Sequence, residues 1–135
     1  PKELMKEFIK VHQFNVYCVN HPMQIALASY INDDNNYKEL NAFYEQKRDV
    51  FLNAIKNSKF SFTPSKATYF QVLNYNAISN ENDVLFAKRL TTDFGIASIP
   101  LSVFNSENLD EKVLRFCFAK KEETLLKAAE ILNAI

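Results

Sequence analysis

Glycine is almost absent from the sequence, which contains Gly95 and no other glycine among its 135 residues. A phosphate-binding P-loop or a dinucleotide fingerprint needs several glycines, because the backbone must approach phosphate closely and adopt positive φ. The same scarcity excludes a collagen-like chain or a flexible Gly/Ser linker. These residues therefore do not bind a nucleotide through a glycine-rich loop.

Several other features are missing. The 16 basic and 16 acidic residues cancel, whereas a duplex nucleic-acid binder normally has a basic excess. No apolar run in residues 1–135 reaches the roughly 18 residues of a membrane span, and these residues show no charged-then-apolar pattern typical of a signal segment. Cys18 and Cys117 cannot form a multi-disulfide framework, and His12 and His21 lack the spacing of a metal site. We expect free thiols, no nucleic-acid, membrane or metal partner, and a cytoplasmic location.

Apolar periodicity is the main positive signal. Spacings of three and four predict helices, and aromatic or β-branched runs predict short strands. The predicted helices lie near 1–12, 22–31, 37–58, 81–94 and 122–134, and the predicted strands near 60–62, 68–75, 96–99 and 112–119. Asn80 is predicted to cap the fourth helix, with Asp83 three residues on, and Gly95 to end it. The fold class is α/β, or α+β-like: a small sheet covered by helices.

Arg115 is the most informative single residue. It interrupts an apolar strand, in which alternation places Leu114 and Phe116 on one face and Arg115 and Cys117 on the other. Both faces look buried, so a permanent charge there needs a partner. A guanidinium binds a carboxylate through two parallel hydrogen bonds, which lysine cannot do. Carboxylate binding is one interpretation; a structural ion pair, or an edge-strand arginine that reaches solvent, is the other.

Six collinear segments go beyond these general patterns. They read VHQ at 11–13, VNHPMQ at 19–24, FYEQKRD at 43–49, PSKATYF at 64–70, FGIASIPLSVF at 94–104 and LRFCFAK at 114–120. Together they resemble the C-terminal portion of class I/II pyridoxal-phosphate aminotransferases, in the branch of methionine aminotransferases and kynurenine–oxoglutarate transaminases. The resemblance covers essentially residues 1–135.

The resemblance implies roles for particular residues. Arg115 matches the arginine that binds the α-carboxylate of the amino-acid substrate. The segment 15–20 matches an interface segment that reaches the neighbouring subunit's active site, so Tyr17 and Cys18 are candidates for shaping that pocket. The enzyme would be a homodimer that uses pyridoxal 5'-phosphate, an amino acid and a 2-oxo acid. Methionine or an aromatic amino acid would be the donor.

The resemblance also implies that part of the active site lies elsewhere. None of the chain's lysines stands in the Ser-x-x-Lys setting of the family's Schiff-base lysine, which we expect upstream of residue 1. Residues 1–135 would then be the small C-terminal domain with its first interface helix, and inactive alone. Ala67 replaces the family's usual glycine and costs about 1 kcal/mol only if the backbone there needs positive φ.

Two alternative functions remain open at this stage. One is a cysteine-conjugate β-lyase, which shares the same fold and cofactor. The other is a stand-alone binding or dimerisation module. A β-lyase would differ from a transaminase in its products. A stand-alone module would differ from both enzymes because no Ser-x-x-Lys segment would precede residue 1.

Overall fold

The computed structural model describes residues 1–107 and 109–135. These residues form two compact units, Pro1–Glu39 and Leu40–Ile135. None of the helices in the described residues combines the length and apolar character needed to cross a membrane.

The first unit contains two helices whose side chains are all exposed. Helix α1 spans Lys2–Asn15 and helix α2 spans His21–Ile31, followed by a 3₁₀ turn at Asp34–Asn36. Asn20 starts α2, because its side chain accepts a hydrogen bond from the Met23 amide at 3.2 Å and satisfies a free donor of the first turn. Both helices agree with the predicted periodicity. The unit buries none of its own apolar side chains.

The second unit combines three helices with a small antiparallel sheet. Its elements are α3 (Leu40–Ile55), β1 (Phe70–Asn74), α4 (Asp83–Phe94), β2 (Ile99–Pro100), β3 (Val113–Cys117) and α5 (Glu122–Ala134), with a 3₁₀ turn at Ser102–Phe104. The strand order is β1-β3-β2, and both pairings are antiparallel. This arrangement confirms the predicted fold class and places β3, the strand of Arg115, in the centre of the sheet.

The hydrophobic core lies on one face of this sheet. Leu73, Leu114 and Phe116 point from the strands into the core, each 5% exposed or less. The three helices cover them with nine buried residues: Phe51, Leu52, Ile55, Phe86, Ala87, Leu90, Leu125, Ala129 and Leu132. Because side chains alternate along a strand, the residues between these positions point to the opposite face, called here the outer face. Arg115 belongs to the outer face.

Helix α4 begins differently from the prediction. The cap is Asn82, whose side chain accepts from the Leu85 amide at 2.9 Å, and not Asn80. The carbonyl oxygens of Asn80 and Glu81 instead accept hydrogen bonds from Lys112 Nζ at 3.1 and 2.7 Å. This contact holds the two residues outside the helix.

The C-terminal end of α4 confirms the prediction for Gly95. Its φ is 70°, in the left-handed region, and its amide donates to the carbonyl of Leu90. Ala67, in contrast, is not among the residues with positive φ, whereas its neighbour Thr68 has a φ of 67°. Ala67 therefore carries no left-handed strain.

The short strands were the least accurate predictions. The segment 60–62 contributes only an isolated bridge between Ser61 and Asn74. The strand predicted at 96–99 is reduced to Ile99–Pro100. The Ile96 amide lies just beyond the end of α4 and donates to the Leu90 carbonyl at 3.0 Å, so it is used by the helix end and not by a strand. Pairing partners, and not local propensity, set these boundaries.

Candidate functional site

The outer face around Arg115 is open and mostly apolar. Val72 pairs with Arg115 from one side and Ile99 from the other, and these two side chains are 39% and 38% exposed. The expectation that both faces of β3 are buried was wrong: Arg115 and Cys117 are only half-buried. The reason is that the helices supply their core residues to the opposite face.

Two aromatic rings lie against the guanidinium of Arg115. Its Cζ is 4.3 Å from the ring centroid of Phe70 and 5.3 Å from that of Phe104. Phe70 reaches this position from the neighbouring strand, where it pairs with Cys117. Both distances lie within the range of an attractive cation–π contact. The rings cover part of the guanidinium without neutralising its charge.

Arg115 has no anionic partner among the residues that the structure describes. Its Nε is buried and makes no hydrogen bond there. Arg48, in contrast, pairs with Glu45 and Asp49, and Arg89 pairs with Glu81. A structural ion pair, the alternative interpretation of Arg115, is therefore not found in this part of the chain. A half-buried guanidinium with an unused donor is suited to bind a carboxylate from outside.

A cavity of about 370 Å³ adjoins this arginine. It is lined by Phe70, Arg115, Cys117, the segment 95–99 and residues of α5. The Oγ of Ser98 is a second buried polar atom without a hydrogen-bond partner in the described residues. The volume is that of a small-molecule site, and two unused polar groups give it a way to orient a ligand.

A larger cavity of about 520 Å³ lies between α3 and the segment 65–69. Arg48 lines this cavity, and its guanidinium donates to the Ser65 carbonyl at 2.9 Å and to Glu45 at 3.0 Å. Because these donors are already used, the Arg48 guanidinium is less available to an anion than that of Arg115, although the unpartnered Oγ of Ser65 also lines this cavity.

The lysines of the chain do not form a site for a covalently bound cofactor. A lysine that forms a Schiff base needs a desolvated amine, yet eleven of the thirteen lysines are exposed. The other two, Lys47 and Lys112, are half-buried and donate to polar groups: Lys47 to the Lys120 carbonyl at 2.6 Å, and Lys112 to Asp110 at 2.9 Å. The residues present therefore do not fit the cofactor that the resemblance implies.

Tyr17 and Cys18 lie in the first unit, on the connection between α1 and α2. Tyr17 is 92% exposed and has a φ of 53°, which is unusual for a residue with a bulky side chain. Cys18 is an exposed free cysteine. Arg115, in contrast, belongs to the second unit.

Metal ligands are not clustered in the described ranges. Within 1–107 and 109–135, no three His, Cys, Asp or Glu side chains come together as metal ligands would. His12 instead stacks on Phe8, with ring centroids 5.7 Å apart.

Phe104, which lies against Arg115, and Ser98, which lines the adjoining cavity, were not predicted from the sequence. Phe104 and Ser98 both belong to the segment 94–104, but neither periodicity nor composition shows that they approach Arg115. The sequence suggests Asp83 only as part of a helix cap, whereas it is 1% exposed and bonds to Ser102. These contacts link residues distant in sequence, so no local pattern reports them.

Comparison with known proteins identifies the family of the chain. The family described as aminotransferase class I and II matches residues 2–132. Methionine aminotransferase of Escherichia coli is 43% identical over 100% of the chain. Kynurenine–oxoglutarate transaminase of Dictyostelium discoideum is 27% identical over 98% of it. These findings confirm the resemblance inferred from the six segments.

Solved structures show the same fold. The crystal structure of YbdL from Escherichia coli, described with a methionine aminotransferase function, has 43% identity and a TM-score of 0.88, covering 100% of this chain and 36% of that one. N-succinyldiaminopimelate aminotransferase from Mycobacterium tuberculosis has 24% identity and a TM-score of 0.84, covering 99% and 35%. The chain spans about 35% of the length of the curated relatives it matches.

Proposed function

Because this chain belongs to the class I and II aminotransferases, we propose that the protein containing it transfers an amino group from an amino acid to a 2-oxo acid. Residues 1–135 supply its small C-terminal domain and first interface helix. Within this part, Arg115 binds the α-carboxylate of the substrate and so orients the α-carbon.

The state of Arg115 is the observation that supports this role. The other two arginines pair with carboxylates of the chain, whereas Arg115 leaves Nε unused beside a cavity. A substrate carboxylate would complete its hydrogen bonds through two parallel contacts. Amino acids and 2-oxo acids share a carboxylate next to the reacting carbon, so one arginine serves both substrates.

The surroundings of Arg115 favour an apolar amino donor. Phe70 and Phe104 lie against the guanidinium, and Val72 and Ile99 pair with Arg115 on the two neighbouring strands. Among the described residues, Arg115 and Lys120 are the only basic side chains that line the adjoining cavity. A second carboxylate on the substrate would gain little in such a setting. Methionine and aromatic amino acids fit this chemistry better than aspartate or glutamate.

The cofactor of this reaction would be pyridoxal 5'-phosphate, which supplies an electron sink for chemistry at the α-carbon. The lysines described above do not fit it, so its Schiff-base lysine would lie outside residues 1–135. This chain alone is then inactive, because it provides carboxylate binding without the group that reacts.

The exposed helices of the first unit support an assembly role. Phe8, Phe14 and Tyr17 are 62%, 81% and 92% exposed, which is more apolar surface than an isolated helix pair normally presents to water. In a homodimer, the segment 15–20 would contact the partner, and Tyr17 with Cys18 would shape the neighbouring subunit's pocket. We place this enzyme in the cytoplasm.

The test is an assay of the full-length protein with pyridoxal phosphate, methionine and a 2-oxo acid. We expect one molecule of new amino acid for each molecule of new oxo acid, and no product from the isolated chain under the same conditions. Pyruvate and ammonia released from a cysteine conjugate, without consumption of a 2-oxo acid, would indicate a β-lyase instead. Turnover by the isolated chain would contradict the assignment of the lysine to residues outside it.

A further inference from the structure

Asp83 is a buried carboxylate, and the proposed binding of substrate by Arg115 does not explain why it is buried. It is the first residue of α4 and only 1% exposed. The basic side chains of the described residues form their ion pairs with other acids. Burying a charge costs free energy unless hydrogen bonds compensate it. The hydrogen-bond partners of Asp83 therefore indicate which part of the structure it stabilises.

Both carboxylate oxygens of Asp83 are bonded to Ser102. The backbone amide of Ser102 donates to Oδ2 at 2.7 Å, and its hydroxyl donates to Oδ1 at 2.6 Å. Hydrogen bonds to an ionised acceptor are among the stronger ones in proteins. This pair, called here the Asp83–Ser102 clamp, fixes the start of the 3₁₀ turn to the start of α4.

The clamped turn ends at Phe104, the second ring on Arg115. The turn is closed by hydrogen bonds from the Phe104 amide to the Leu101 carbonyl at 3.1 Å and from the Asn105 amide to the Ser102 carbonyl at 3.0 Å. Phe104 is 65% exposed, so core packing does not hold its ring. The turn fixes the backbone position from which this ring lies 5.3 Å from the guanidinium.

Phe70, the other ring, does not depend on the clamp. It is part of β1 and pairs with Cys117 of the central strand, so sheet hydrogen bonds fix it. Loss of the clamp would therefore release one ring and leave the other in place. Arg115 would gain freedom, but the sheet that carries it would remain folded.

We propose that Asp83 is a positioning residue for substrate binding, which acts through Ser102 and Phe104 to hold the Arg115 guanidinium ready for a carboxylate. The inference rests on the proposed role of Arg115. It predicts a defect in carboxylate affinity, and not in the chemical step, when any member of the clamp is changed. The ring does not touch the carboxylate; it limits the orientations of the guanidinium.

The test uses the full-length protein loaded with pyridoxal phosphate. We would measure the Kd of 3-phenylpropanoate, an apolar monocarboxylate, by calorimetry in Ser102→Ala, Phe104→Leu and the double variant. We expect each single change to raise the Kd about three- to tenfold, because each removes the ordering effect of one cation–π contact. We expect the double variant to match Phe104→Leu, because both changes act through one ring. KM for methionine should rise in parallel while kcat stays nearly constant.

Controls separate this role from a general loss of structure. Val103→Ala changes the same turn without touching Arg115, and we expect its Kd to equal that of the wild type. Asp83→Asn is a further variant, but if it fails to fold, the Ser102 and Phe104 variants still decide the matter. Thermal unfolding of each variant shows which ones are folded.

Three results would overturn the clamp: an unchanged Kd in Phe104→Leu, fully additive effects in the double variant, or a fall in kcat that equals the rise in KM. In each case the wild-type protein still binds the carboxylate and transfers amino groups, so the proposed function stands. A wild-type protein that does neither contradicts the proposed function itself, and the clamp falls with it.

Discussion

The three arginines of the chain differ in what surrounds their guanidinium groups. Arg89 shares a carboxylate with Ser79 at the surface, since both donate to Glu81 Oε2, at 2.7 and 3.0 Å. Arg48 is bonded to a carbonyl and two acids. Of the three, Arg115 alone has a buried donor without a hydrogen-bond partner among the described residues. This unpartnered buried donor, and not residue type alone, distinguishes Arg115 from the other two arginines.

Gly95 gives a prediction at the same scale. Its φ of 70° lies in the left-handed region, and an added Cβ would meet nothing within 4 Å. The cost of Gly95→Ala is therefore conformational, and we expect it to lower the free energy of unfolding by about 1 kcal/mol. Urea denaturation of the chain measures it.

Gly95→Asn is the matched control, because asparagine adopts the left-handed conformation more readily than alanine. We expect it to lose less stability than Gly95→Ala. An equal loss in both variants would mean that space, and not backbone conformation, requires glycine here.

At the scale of elements, the start of α4 is held by a charged contact that depends on pH. The hydrogen bond from Arg89, and with it the one from Ser79, lowers the pKa of Glu81 below its ordinary value of 4.5. A lowered folded-state pKa stabilises the fold above the unfolded-state pKa, and this stabilisation is lost as the pH falls through the folded-state value.

We therefore expect Glu81→Gln to be less stable than the wild type at neutral pH. The difference should be complete above pH 4.5 and should disappear as the solution becomes more acidic. Urea unfolding of both proteins across this range measures it. The exposed Glu123–Lys127 pair provides a control, and Glu123→Gln should change stability less. A difference that persists at strongly acidic pH would contradict the assignment.

Helices were easier to predict from this sequence than strands. The 122–134 periodicity matches α5 at Glu122–Ala134, and the 37–58 pattern contains α3 at Leu40–Ile55. Helical hydrogen bonds connect residues four apart, so the local sequence holds most of the information. Strands need a partner elsewhere in the chain, and β2 keeps only the two residues that find one on β3.

The candidate site could also be predicted only in part from the sequence. A charge inside the apolar strand indicated Arg115, and cross-strand register then brings Phe70 close. The roles of Phe104 and Asp83 could not be inferred from the sequence. Phe104 reaches the sheet from a loop, and that loop is fixed by the hydrogen bond between Ser102 and Asp83, which are 19 residues apart. The cap at Asn82 in place of Asn80 has a similar cause, since Lys112 holds the preceding carbonyls.

At the scale of the whole molecule, the two units differ in how much they bury. Every residue of Pro1–Glu39 is exposed, whereas Leu40–Ile135 has a core on one face of its sheet. Amide protection requires burial and stable hydrogen bonds. In the isolated chain we expect hydrogen exchange to be slow in α5 and β3 and fast in α1 and α2.

The same experiment on the full-length protein tests the proposed assembly. If the first unit is covered there, α1 and α2 should become protected while the exchange of α5 changes little. Equal protection of α1 and α5 in the isolated chain would show that the first unit is stable without a partner. Unprotected α1 and α2 in the full-length protein would contradict the interface role of Tyr17 and Cys18.

Replacing Arg115 by lysine in the full-length protein tests carboxylate binding most directly, because the charge stays and the two-pronged hydrogen bond is lost. The quantity to measure is the Kd of 3-phenylpropanamide divided by that of 3-phenylpropanoate. We expect Arg115→Lys to reduce this ratio about 10- to 100-fold and the control Arg89→Lys to leave it unchanged. The same ratio in Arg115→Lys as in the wild type would show that Arg115 does not bind the substrate carboxylate.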